Sequence, residues 1–218
     1  MTRSDLETAA AAAGLLVLGA LPTDPSDGFD PPDGTLVLLG AGPDFWDVFR
    51  ISAELQDGKP DPVDRWSARV VGDMASCLGA TACFPFGGPP YRPFIAWAQR
   101  SGRAFPSPTG MLVHDRVGLM ISFRGALKFD HDPGLPQVVG VPPCDTCENR
   151  PCLTACPVGA LGEGVAYDVE ACHAYLDTPD GADCMSNGCK ARRACPVSAG
   201  AGRTSAQSEL HMKAFHPS

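Results

Sequence analysis

Eight cysteines between residues 144 and 195 limit what this chain can fold into more than any other feature. Cys144, Cys147, Cys152 and Cys156 place four thiols in thirteen residues, and Pro157 closes the run. Cys172, Cys184, Cys189 and Cys195 form a second set, closed by Pro196. The spacings are C-x2-C-x4-C-x3-C-P and C-x11-C-x4-C-x5-C-P. So many thiols in so short a segment must be oxidised in pairs or satisfied by soft metal centres.

A four-cysteine run ending in Cys-Pro is the iron–sulfur pattern of ferredoxins, here stretched in the middle. Eight thiolates make two four-cysteine sites. In such runs the first three cysteines wrap one cluster, and the fourth, followed by proline, ligates the other. The expected sets are therefore Cys144, Cys147, Cys152 and Cys195, and Cys156, Cys172, Cys184 and Cys189, each holding a [4Fe-4S] cluster. Structural zinc is the rival; four-cysteine zinc sites usually come as two C-x2-C knuckles, and only Cys144/Cys147 has that spacing. A disulfide framework suits short secreted chains better than one of 218 residues. Cys77 and Cys83 lie outside the bouquet and read as buried small hydrophobes.

The cysteine-rich segment leaves some 140 residues ahead of it, enough for a core of their own. The formal net charge of -8 argues against a surface built for nucleic-acid phosphates. Ala9 to Leu21 is apolar but follows Asp5 and Glu7 where a secretory signal carries basic residues, and Gly14 and Gly19 break it. It is too short to span a bilayer. Reduced thiols and this N-terminus lead us to expect a cytoplasmic protein with no membrane partner.

Along the chain, Ser4 to Glu7 has capping-box spacing and predicts a helix ending at Gly14. Leu15 to Leu21 and Thr35 to Leu39 predict strands. Pro43 opens a helix to about Leu55. Asp61 and Pro62 predict the cap and first turn of the next, with an inner stripe of Trp66, Val70, Met74 and Cys77. Thr81 to Phe86 predicts a strand, Pro93 to Ser101 a helix, and Ser205 to Phe215 a terminal helix docked on the first domain. Two strand-like runs flank His114-Asp115-Arg116-Val117-Gly118, placing these residues at a turn. Arg124 sits in an apolar run, so it either pairs internally or faces a ligand. His211 and His216 read as solvent-facing or capping residues.

Two resemblances extend this reading. Val113 to Gly118 and Phe123-Arg124-Gly125 resemble the Ile-His-Pro-Arg-Phe-Gly and Ile-Arg-Gly stretches of cobalamin-processing CblC proteins, with Asp115 in place of the proline. Asp61 to Asp64 and the strand around Leu36 to Leu39 are similar as well, so the likeness spans residues 36 to 129. The fusion to two clusters, and Glu170-Ala171-Cys172-His173-Ala174-Tyr175-Leu176, resemble epoxyqueuosine reductase and the reductive dehalogenases. The Gly-Lys-Asn segment and repeat tail of the former are missing, its catalytic aspartate has no identifiable counterpart, and no twin-arginine signal is present.

These resemblances imply an α+β chain in three parts. A nitroreductase-like α/β domain over 1–139 precedes a ferredoxin-like domain over 140–200, and residues 201–218 return to the first domain. They imply a corrinoid (cobalamin) near His114, Phe123, Arg124 and Gly125, reduced or processed with electrons from the clusters. A redox partner protein would be the donor. The alternatives are an electron-transfer ferredoxin with a docking domain and no corrinoid, and a flavin–iron–sulfur oxidoreductase holding FMN.

Overall fold

The computed structural model describes residues 3–217 and is α+β. Two compact units emerge. One comprises residues 3–103 and 122–140, the other 104–121 and 141–217. No helix among the described residues is long and apolar enough to cross a membrane.

The first unit begins with α1 (Arg3–Ala12) and β1 (Leu15–Pro22), and continues through β2 (Thr35–Ala41). The single helix expected from Pro43 to Leu55 is two short ones, α2 (Phe45–Phe49) and α3 (Ala53–Gln56). Ser52 separates them by capping α3, its hydroxyl accepting from Leu55 N–H at 3.4 Å. α4 (Pro62–Leu78), β3 (Thr81–Cys83) and α5 (Phe94–Arg100) follow. β4 (Ala104–Pro106) and β5 (Leu112–His114) belong to the second unit, and the chain then returns with β6 (Phe123–Phe129).

The sheet is antiparallel throughout, in the order β1-β2-β6-β3. β2 runs Leu36 to Leu39 without any solvent exposure, the unbroken apolar signature of a strand covered on both faces. Two β-bulges lie close together. One leaves Leu18 unpaired between Val17 and Gly19, and the other leaves Arg124 unpaired between Phe123 and Gly125. A side chain at Gly40 would run into Leu18 Cδ1 and the Ser122 carbonyl, so its smallness admits the first bulge. Phe45, Phe49 and Trp66 build an aromatic corner, the indole edge-on to both phenyl rings at centroid distances of 5.2 and 5.9 Å.

α4 departs from its sequence reading in two ways. Asp61 takes a left-handed backbone (φ 52°) and makes no side-chain cap. The buried face is Trp66, Ser67, Val71, Met74 and Ala75, which leaves Cys77 exposed rather than buried. Ser67 disguises this face: its hydroxyl donates back to the Val63 carbonyl at 2.7 Å, so a polar residue is satisfied inside the core. Cys83 is buried, as expected.

The second unit contains the two-stranded β4–β5 ribbon and four helices: α6 (Val169–Leu176), α7 (Ala182–Asn187), α8 (Lys190–Ala194) and α9 (Ser205–Phe215). α9 has the expected bounds and packs on α7 within this unit. The expected boundary at 139 also misses residues 104–121. These belong here because the C-terminal segment clasps them. Leu119 N–H donates to Ser198 Oγ at 3.1 Å, Arg192 donates to the Leu119 carbonyl at 3.0 Å, and Arg203 to the Met120 carbonyl at 3.1 Å. Gly118 has φ 57°, and a Cβ there would lie 2.5 Å from Ser198 N, so the contact demands glycine. The strand expected after this glycine begins only at Phe123, because the backbone of 119 and 120 is occupied by those three bonds. Residues 1, 2 and 218, included in the expected domain ranges, lie outside the described residues.

Candidate metal centres

Cys144 lies in a short 3₁₀ turn, Pro143–Asp145, and Cys152 in another, Pro151–Leu153. Proline sets the helical φ at the start of each turn. Cys147 follows the first turn, and Cys195 ends α8 in an extended conformation imposed by Pro196. These four thiols line one cavity of about 390 Å³, walled also by Val113 and Leu119. Val113, Leu119 and Cys152 are buried together, with Cys144 and Cys195 packed against them. The apolar core of this region is thus built around sulfur.

The electrostatics group the same four residues. Burial, then the neighbouring thiols of Cys152, Cys195 and Cys147, pushes the Cys144 thiol above its ordinary range, with Arg150 opposing. Burial and Cys195 and Cys147 do the same to Cys152. Four thiols this close resist ionising together unless a cation compensates them.

The second quartet is carried by helices. Cys172 is on α6, Cys184 on α7, and Cys189 is the N-cap of α8, while Cys156 closes the first run. Burial raises the Cys172 thiol, a hydrogen bond from the Tyr167 hydroxyl counters it, and the nearby Cys189 and Cys156 raise it further. Cys184 is raised by burial, countered by the Lys190 N–H, with Cys189 beside it. The structure therefore places Cys144, Cys147, Cys152 and Cys195 around one cavity, and Cys189 near both Cys172 and Cys184, with Cys156 also near Cys172.

All ten cysteines are free thiols. Among the described residues, no three donors converge as they would on one metal ion. A single ion draws its ligands to a common point, whereas a cubane gives each thiolate its own iron and holds the sulfurs apart. Cys144, Cys147, Cys152 and Cys195 around one open cavity are a donor set that could hold such a group.

The residues expected to contact a corrinoid are divided. His114 is in the second unit, and Phe123, Arg124 and Gly125 are in the first. His114 has no solvent exposure, and its Nδ1 accepts from Arg116 N–H at 3.1 Å. Its turn is tight, Gly118 and His114 exchanging both backbone hydrogen bonds, and the imidazole is enclosed rather than open to a macrocycle. Gly125 serves packing: a Cβ there would meet Val71 of α4 at 3.0 Å and the Cys83 carbonyl at 3.1 Å. Phe123 packs on Phe94 at 5.8 Å.

Arg124 is the exception. The bulge re-aims its side chain toward Asp64, but the nearest approach is a long 3.8 Å, and Nε is buried without a hydrogen-bond partner. Burial lowers its pKa to about 10 and raises that of Asp64, each partner only partly offsetting the other's desolvation. This guanidinium is short of acceptors.

The sequence reading passed over Tyr167, Val113 and Leu119 as parts of a centre. Nothing in spacing marks a tyrosine five residues before a cysteine. No family model matches the chain, and no curated protein matches it.

Proposed function

We propose that this chain is an iron–sulfur electron-transfer protein whose second unit is a ferredoxin-like module for two [4Fe-4S] clusters. The observation that supports the reading is that free Cys144, Cys147 and Cys152 of the first run and Cys195 of the second line one cavity together. The chemistry supplied by the bound clusters is one-electron transfer. The protein holds the thiolates, excludes water from Cys152 and Cys184, and closes each quartet with a residue next to proline. Electrons would come from a redox partner protein.

The first unit, with helices packed on an antiparallel sheet, is read as nitroreductase-like, and its acceptor as a corrinoid, for cobalamin reduction or processing. The under-satisfied Arg124 supports this part, because a corrinoid's amide carbonyls and phosphate are the acceptors it lacks. His114 is not part of this proposal.

Anaerobic reconstitution tests the reading. The expected content is about eight irons and eight sulfides per chain. Cys195→Ala should extinguish the signal of the first quartet and Cys156→Ala that of the second, although each residue belongs to the other run. Stoichiometric zinc without sulfide would refute the proposal. Cobalamin should shift the thermal transition of the unmutated protein, less so in Arg124→Leu, and FMN should not. Retention of neither by a protein with both clusters would leave a plain ferredoxin-type carrier.

A further inference from the structure

The stretch that joins the two cysteine runs leaves apolar side chains in solvent. Every residue from 163 to 170 is exposed. Val165, Tyr167 and Val169 lie there, with Phe215 of α9 beside them, and all four side chains are between 39% and 55% exposed. The Tyr167 ring stacks on Phe215 at a centroid distance of 6.5 Å and 15°, and Phe215 lies against His173 of α6 at 4.7 Å. The loop is tied down: Asp168 N–H donates to the Ala160 carbonyl at 3.0 Å, and Val169 N–H to the Tyr167 carbonyl at 3.1 Å. Single apolar side chains on a surface are ordinary, but a fixed group of four on adjoining elements marks a contact site.

The charges around this patch have one sign. From 151 to 189 the chain carries no lysine or arginine, and it carries Glu163, Asp168, Glu170, Asp177, Asp180 and Asp183. Glu170 and Asp177 share a face of α6 with His173, at i, i+3 and i+7, so they stand on either side of the residue that Phe215 rests on. The nearest cations are already engaged. Arg150 pairs with Glu163 at 3.1 Å, Lys213 with Glu209 at 2.7 Å, and Lys190 and Arg193 both with Asp183. Among the described residues, no lysine or arginine compensates Asp168, Glu170, Asp177 or Asp180. We infer that this patch is the docking face for the redox partner protein, and that the partner meets it with an apolar contact ringed by lysine and arginine. The acidic rim steers the encounter, and the apolar centre holds the complex. The inference rests on the iron–sulfur reading and deepens it. Cys172 is on the same helix as Glu170 and Asp177, so a protein seated here is next to a proposed cluster ligand.

Oxidised cytochrome c, a strongly basic haem protein, serves as the probe. The reconstituted full chain, its iron and sulfide counted, is reduced with dithionite, freed of the excess and mixed with the probe. Each electron that leaves a cluster turns one ferric haem ferrous, which is followed by absorbance. At about 20 mM ionic strength, Glu170→Lys with Asp177→Lys should slow the second-order rate about tenfold, and the loss should vanish near about 0.5 M salt. Asp33→Lys with Asp73→Lys makes the same change of net charge at exposed positions of the first unit, and should slow it less than about twofold. Val165→Ser should weaken binding about fivefold in titration calorimetry, at low and high salt alike. Equal slowing by the two double variants, no slowing by the first, unchanged affinity in Val165→Ser, or no binding of the probe would overturn the inference and leave the iron–sulfur reading standing. Absence of iron and sulfide would overturn that reading, and calorimetry on the same variants would still decide the docking face.

Discussion

The two units solve the problem of staying folded by different means. The bulkiest fully buried side chains, Trp66, Trp97, Phe45, Phe49, Phe129 and a set of leucines from Leu6 to Leu39, all belong to the first. Among the described residues, the second buries no phenylalanine, tyrosine or tryptophan; its largest buried apolar side chains are Leu119, Met120, Leu161 and Leu176, beside Val113, Val117, alanines, Ser198, Gln207 and Ser208, with Cys152 and Cys184 among them. A region that buries so little large apolar surface needs staples to offset its conformational entropy. One unit is held by aromatic packing; the other, on the proposed iron–sulfur reading, would be held by what its sulfurs bind.

That contrast can be broken most directly by removing the metal. Anaerobic chelation of the reconstituted protein should abolish the cooperative unfolding transition of the second unit and leave that of the first in place, read by calorimetry and by amide exchange of each unit. A second unit that keeps its exchange protection without iron would show its core to be self-sufficient. The converse experiment strikes the aromatic corner. Trp66→Ala should cost the first unit about 3–5 kcal/mol, because the indole is fully enclosed between Phe45 and Phe49, and should leave the iron content unchanged.

A smaller effect concerns acid. Glu54 is paired with Arg69 at 2.6 Å, and the guanidinium holds its carboxyl down at about 2 from an ordinary 4.5. A depressed folded value means the pair stabilises fully above pH 4.5, and that contribution fades as pH falls toward 2. Arg69 is half exposed, so screening reduces the contribution to about 1 kcal/mol. Glu54→Gln should therefore lower the first unit's stability by that amount at pH 7 and by almost nothing near pH 2, in denaturant titrations at both values. The smallest effect belongs to Cys77. Being exposed on α4, Cys77→Ser should change stability by less than about 0.5 kcal/mol and bind the same iron.

What the sequence made legible follows the same division. β1, β2 and α9 could be read because each carries its information locally, as an apolar run or as a Thr204 cap accepting from Gln207 N–H. The gathering of Cys144, Cys147, Cys152 and Cys195 around one cavity could be read because cysteines placed ahead of prolines leave a spacing pattern. The inner face of α4 was misread where Ser67 satisfies its hydroxyl within the helix. The break at Ser52 hid because one side-chain cap outweighed a continuous helical pattern. Residues 104–121 were assigned to the wrong unit because their partners, Arg192, Ser198 and Arg203, lie more than seventy residues downstream. His114 was expected at a turn near a corrinoid, and only the three-dimensional packing shows its side chain enclosed.

The clasp on Leu119 and Met120 has a consequence for how the protein is made. A ribosome releases the chain from its N-terminal end, and every piece of the first unit has been synthesised once residue 140 emerges. The 104–121 segment must then wait, with Val113 and Leu119 uncovered, until translation reaches Arg203. During that interval its exposed apolar residues are open to chaperones or to misassembly. Nor can a protease or an expression vector separate the units at one cut. A fragment starting at 141 lacks the wall of its own sulfur cavity, and one ending at 140 carries a ribbon whose partners were never made.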